Sequence, residues 1–190
     1  MARRWLLLIY TVPTTPSRTR AFVWREIRRA GALLVRDGVA ALPAGAEAER
    51  WIRETSRRID GAGGTATTVV AKLKPSDERR IVAAFQKERE REYSEIVASC
   101  EALLLHLERE REHAVFTFEE FQELENDLEK IRRWYAMARS RDHFSTSTAK
   151  RAASAISDCE KRIAAYAERA SALDSEPAVR ARRRRRAKVT

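Results

Sequence analysis

The chain has 190 residues, 35% of them charged and only 7% aromatic, with a formal net charge of +10. Six glycines and five prolines are too few for a turn-rich all-β design, and two cysteines cannot build a disulfide framework, which points to an intracellular protein. No apolar run approaches the roughly 18 residues of a membrane helix, and the short stretch Trp5 to Tyr10 runs straight into Thr11-Val12-Pro13, so neither a span nor an export signal is read and a cytoplasmic location is expected.

Residues 4–12 form a dense apolar run ending at Pro13, the pattern of a central strand covered on both faces. Pro16 and Ser17 can each open a helix over 18–30. In it Ala21, Phe22, Ile27 and Ala30 are read as the buried stripe and Gly31 as the stop. Strands at 33–36 and 39–42 flank Asp37-Gly38, a two-residue hairpin signal. A helix over 46–60 closes at Gly61-Ala62-Gly63-Gly64, and the Thr- and Val-rich run 65–73 reads as a last strand. The order βαββαβ predicts a ferredoxin-like domain over 1–73, a four-stranded sheet carrying two helices on one face.

From Pro75 to about His113 nothing breaks a helix, and Tyr93, Ile96/Val97, Cys100, Leu103/Leu104 and Leu107 make its apolar seam. Thr117-Phe118-Glu119-Glu120 is a capping box that opens a second helix, whose seam is Phe121, Leu124, Leu128, Ile131 and Tyr135. After the polar stretch 141–147, a third helix repeats the spacing through Ala152, Ile156, Cys159, Ile163, Tyr166, Ala170 and Leu173. Three such seams predict an antiparallel helical bundle or coiled coil over 74–175, and the fold class expected is therefore α+β.

Charge is concentrated at the two ends. Residues 1–72 carry 13 basic and 6 acidic side chains, residues 73–177 are net −4, and residues 178–190 carry seven cations and no acid. The segment 176–190 reads as a disordered tail dominated by Arg182, Arg183, Arg184, Arg185 and Arg186. Such clustering suits an anionic polymer, because each neutralised phosphate releases counterions. A second cluster, Arg18, Arg20, Arg25, Arg28 and Arg29 around Trp24, falls on the first helix. Positions 18, 25 and 29 share one face there, opposite the residues turned to the sheet. These ten arginines are the candidate nucleic-acid contacts; the plainer reading of the helical set is a solvated face partly paired with Glu26.

Enzyme chemistry is not legible. The Gly61 to Gly64 turn lacks the lysine of a phosphate-binding loop and joins helix to strand rather than strand to helix. Cys100 and Cys159 fall on packing seams, where a thiol serves as a small apolar filler; of His106, His113 and His143 the first two lie seven apart on one helix face, and a metal site needs further ligands. No catalytic residue, metal or cofactor is expected.

The runs Trp5 to Pro13, Pro16-Ser17-Arg18-x-Arg20, Val23-Trp24-Arg25-Glu26, Ala30-Gly31-Ala32 and Asp37-Gly38-Val39 to Leu42-Pro43 resemble the N-terminal domain of the ChrB family. The likeness continues through Arg132-Arg133-Trp134-Tyr135, Arg141-Asp142-x-Phe144, Cys159 and the Tyr166 helix. ChrB proteins are chromate-responsive regulators of bacterial chromate-resistance operons, and the first seventy residues are also similar to the ferredoxin-like domain of PaaX-type repressors. The resemblance implies a cytoplasmic, non-enzymatic, DNA-binding transcriptional regulator, a homodimer, with an oxyanion such as chromate as effector. It does not extend to the winged helix with which PaaX-type repressors read bases. The rival readings are a non-catalytic protein-interaction module with nonspecific nucleic-acid affinity and an RNA-processing enzyme. Against the nuclease alternative, Tyr10-Thr11 stands where ferredoxin-like CRISPR-associated nucleases carry an aspartate at the end of the first strand.

Overall fold

The computed structural model describes residues 3–15, 17–113 and 118–175. In chain order these form β1 (Arg4–Thr11), α1 (Ser17–Ala30), β2 (Leu33–Arg36), β3 (Val39–Pro43), α2 (Ala46–Gly61), β4 (Thr65–Lys72), α3 (Pro75–His113), α4 (Phe118–Ser140) and α5 (Ser147–Ser175). The protein is α+β, with one small antiparallel sheet and several long helices. No described helix is long and apolar enough to cross a membrane. The described residues divide into two compact units. Those up to Arg91 together with Met137–Thr146 form the first, and Glu92–Ala136 with the residues from Ser147 onward form the second.

In the first unit the sheet runs β2-β3-β1-β4, every neighbouring pair antiparallel. β1 holds an inner place because its side chains suit both faces. Leu6 and Leu8 join Val23 and Ile27 of α1 and Ile52 and Ile59 of α2 in one core. Trp5 points the other way, into a second core with Leu33, Ala41 and the α3 residues Ile81 and Phe85. The buried stripe of α1 differs from the sequence reading. Val23 is 1% exposed and belongs to the core, whereas Ala21 is exposed and Phe22 only half-buried. The i, i+4 pair Val23 and Ile27 sits one residue further round the helix than an alanine-anchored stripe would.

The hairpin between β2 and β3 turns at Asp37-Gly38, where Gly38 has φ +72° and its carbonyl accepts the Tyr10 amide at 2.7 Å. A side chain there would press within 2.6 Å of the Tyr10 carbonyl oxygen, so the turn takes glycine for space as well as for conformation.

In the second unit the heptad seams are buried. Tyr93, Ile96, Cys100, Leu103 and Leu107 of α3, Leu124, Leu128 and Ile131 of α4, and Ala152, Ile156, Cys159, Ile163 and Tyr166 of α5 are all below 10% exposure. Contacts join all three helices. The Tyr93 and Tyr135 rings lie 5.9 Å apart, the Trp134 indole donates to Glu92 at 3.1 Å, Arg132 pairs with Glu160 at 2.6 Å, and the Cys159 thiol reaches the Cys100 carbonyl at 3.5 Å. Thr117 of the capping box and the side chains of Ala170 and Leu173 lie outside the described residues.

Candidate nucleic-acid interface

Helices α1 and α2 cover the same face of the sheet, each anchored by a narrow apolar stripe. Val23 and Ile27 anchor α1; Ile52, Thr55 and Ile59 anchor α2. What is left of each helix faces solvent. On α1 that remainder includes all five arginines singled out from sequence: Arg18, Arg20, Arg25, Arg28 and Arg29 are exposed. Trp24 stands among them, 56% exposed, with the Arg28 guanidinium over its ring at 5.2 Å. Stacking of this kind holds a long side chain in place without consuming its hydrogen-bond donors. Arg29 is partly spoken for, since it pairs with Glu26 at 2.7 Å, as the plainer reading anticipated.

The surface is larger than α1 alone. Arg50, Arg53, Arg57 and Arg58 of α2 are also exposed, and Arg58 reaches to α1, its guanidinium 4.3 Å from the Phe22 ring centroid. Between the two helices runs a groove of about 320 Å³ lined by Phe22, Glu26, Arg29, Glu54, Arg57 and Arg58. Sequence reasoning missed the α2 set. Its signal was the i, i+3, i+7 spacing of Arg50, Arg53 and Arg57, which places them along one side of the helix. Nine exposed arginines on two adjacent helices, against Glu26, Glu47, Glu49, Glu54 and Asp60, leave an excess of positive charge. Guanidinium groups on a fixed scaffold can bind phosphate oxygens in a bidentate way.

The C-terminal end of α1 is fixed by residues 137–146. Arg141 donates from its guanidinium to the carbonyls of Arg28, at 3.3 Å, and Met137, at 3.0 Å. It thereby gives a second donor to a carbonyl in the last turn of the helix that already accepts the Gly31 amide. His143 hydrogen-bonds the backbone of Ala30 and meets the Phe85 ring edge-on at 5.8 Å. Desolvation outweighs that hydrogen bond and lowers its pKa below the ordinary imidazole value. Phe144 stacks on Trp5 at 5.9 Å between centroids and meets Phe85 edge-on at 5.2 Å, beneath the Arg3 guanidinium. The run Arg141-Asp142-x-Phe144, part of the family likeness, thus serves to hold α1 and the sheet. Beside it lies a cavity of about 220 Å³ in which Arg29 and Arg50 are balanced by Glu47 and Glu54.

Arg182, Arg183, Arg184, Arg185 and Arg186 lie outside the described residues. Among the described residues no group of three or more His, Cys, Asp or Glu is placed to hold a metal ion.

These observations define an α+β protein whose antiparallel sheet carries two arginine-bearing helices on one face, with a second unit of long helices. The chain belongs to the ChrB N-terminal family: the family described as "Protein ChrB, N-terminal" matches residues 20–176. The match takes in α2 and all of α1 from Arg20 onward. No curated protein and no solved structure matches the chain.

Proposed function

We propose that this chain is a DNA-binding transcriptional regulator of the chromate-resistance type, cytoplasmic and without enzymatic activity, and that α1 and α2 form its phosphate-contacting surface. The observation that carries the reading is the set of exposed arginines on two helices held by a common core, in a member of the ChrB N-terminal family. Phosphate contacts fix register and orientation on a duplex; Trp24 and the arginines beside it are the groups placed to approach a groove. The signal is an oxyanion such as chromate, as the family resemblance implies. We read the first unit as ferredoxin-like, which the strand order β2-β3-β1-β4 supports. The second we read as an antiparallel three-helix bundle, supported by its interlocking seams.

The test is a titration of the full chain against the DNA upstream of its own operon and against a shuffled duplex, at low and at physiological salt. The expected result is tighter binding to the upstream DNA, and loss of that preference when Arg25, Arg28 and Arg29 are replaced together by glutamine. If the wild-type protein binds no DNA even at low salt, the regulator reading falls and the protein-interaction module takes its place.

A further inference from the structure

The two edges of the sheet are built differently. β2, at one edge, has four residues, carries a register irregularity between Leu34 and Arg36, and ends in the charged Arg36, with Asp37 following in the turn. Short length, bulges and charge are the usual devices that stop an edge strand from pairing with another chain. β4, at the other edge, is long and without a bulge, and carries charge only at its last residue. Its eight residues, Thr-Ala-Thr-Thr-Val-Val-Ala-Lys, pair with β1 in unbroken register from Thr65 to Lys72. It contains no proline, its single charge is the terminal Lys72, and Thr65, Thr67, Thr68, Val70 and Lys72 are exposed. Val70, at 53% exposure, is among the most exposed apolar side chains described.

We propose that β4 pairs antiparallel with β4 of a second copy of this chain, joining two four-stranded sheets into one of eight strands. The strand's own chemistry selects that occupant. With the two-fold axis at Thr68 or Val69, each Lys72 lies about 20–27 Å from its mate at ~3.4 Å per residue, so no like charges meet. With the axis at Thr68 that residue faces its own mate and Thr67 faces Val69, and with the axis at Val69 each Thr68 faces a Val70, pairs of β-branched residues that neighbouring strands favour. A two-fold that pairs two antiparallel edge strands in one sheet must stand perpendicular to that sheet, so each face continues as the same face of the partner. Both α1–α2 layers, and with them both arginine surfaces, therefore come to the same side of the eight-stranded sheet. This consequence rests on the DNA-binding reading; the dimer itself does not. It supplies what a two-fold duplex site calls for, two copies of one cationic surface facing one way.

The full chain should sediment at about twice its 21.8 kDa mass at micromolar concentration. The double variant Thr68→Lys, Val70→Lys places cations beside the axis on exposed positions. It should sediment as a monomer with an unchanged circular dichroism spectrum, and its melting temperature should no longer depend on protein concentration as that of the dimer does. In a second measurement Thr68→Cys should give a covalent dimer on mild oxidation, while Arg36→Cys on the β2 edge should not. A monomeric wild-type protein, a lysine variant that stays dimeric, or a cross-link at Arg36→Cys and not at Thr68→Cys would each overturn the proposal. On DNA, the lysine variant should lose at least tenfold in affinity for the upstream duplex while keeping weak nonspecific binding. A confirmed dimer that binds no DNA would sink the function and leave this interface standing; DNA binding by a monomer would do the reverse.

Discussion

Arg141 donates to the carbonyl oxygen of Arg28 at 3.3 Å, across 113 residues of sequence, and its Cβ lies directly over Gly31. Gly31 has φ +65° and closes α1, its amide returning to the Arg28 carbonyl at 3.2 Å. Any Cβ added at Gly31 would stand 2.7 Å from the Arg141 Cβ and 3.1 Å from its Cα. The helix bearing the candidate phosphate contacts is therefore locked at its C-terminal end by conformation and by contact at once.

Gly31→Ala should accordingly destabilise the protein by about 2 kcal/mol, the sum of a left-handed backbone that alanine resists and a steric overlap that neither neighbour relieves easily. Arg141→Ala should not rescue it, since the opposing Cα and Cβ remain. Urea denaturation of the two single variants and the double variant reads both effects. A Gly31→Ala protein as stable as wild type would show that this packing is not present in solution.

Leu128 and Ile163 occupy heptad positions on α4 and α5 and are 6% and 3% exposed. Truncating either to alanine removes several buried methyl and methylene groups and leaves a cavity, which should cost about 2–5 kcal/mol. Thermal or urea melts measure it. A cost under about half a kcal/mol at both sites would contradict the buried seams.

Most of the element order was legible because each boundary has a local cause. Asp37-Gly38, Gly31 and the Gly61 to Gly64 run mark turns, and at Gly31, Gly38 and Gly63 the backbone takes the positive φ that favours glycine. The unbroken 3-4 spacing of Tyr93 to Leu107 and of Ala152 to Tyr166 marks helices that bury one side. What covers the second face of the sheet was not legible. Ile81 and Phe85 lie on the first turns of a helix whose other seam residues serve the second unit. Phe144 comes from a polar stretch that reads as a mere connection. These side chains meet Trp5 from far along the chain, and nothing in local composition encodes such a meeting. The same holds for the interface. The α1 arginines were visible as a cluster, but their continuation through Arg50, Arg53 and Arg57 depends on α1 and α2 lying side by side, which only the sheet order establishes.

Cys100 and Cys159 should be inert toward thiol reagents in the native protein. Both are free and essentially without exposure, and the Cys159 thiol lies against the Cys100 carbonyl. The hydrogen bond between the two thiols, together with burial, pushes the Cys159 pKa far above the ordinary thiol value, whereas the same bond lowers that of Cys100, so the inertness of Cys100 rests on its burial alone. Labelling with a chromogenic disulfide should release almost no colour without denaturant and two equivalents per chain with it. Rapid reaction of either thiol in native buffer would contradict the packing between α3 and α5.

The two arginine sets should contribute differently to DNA binding. Residues 180–190 contain seven cations and no aromatic or acidic side chain, so they read phosphate charge and not base identity. A chain ending at Val179 should therefore bind every duplex more weakly, by a similar factor, with a shallower salt dependence. The log–log slope should fall by up to about 0.9 for each phosphate that is no longer neutralised. The α1 set is held by Val23 and Ile27 on a fixed core, with Trp24 beside it, and can keep one register on a groove. Replacing Arg25, Arg28 and Arg29 together should reduce the ratio of upstream to shuffled affinity toward one, while the slope falls by no more than about 2.7, the share of three phosphates. Replacing Arg50, Arg53 and Arg57 tests the neighbouring helix, and a loss of affinity there would extend the interface across both. Titrations at four or more salt concentrations separate slope from ratio. Should the truncated chain lose its sequence preference while the α1 variant keeps it, the roles of the two sets are reversed, and base discrimination belongs to the segment beyond Val179.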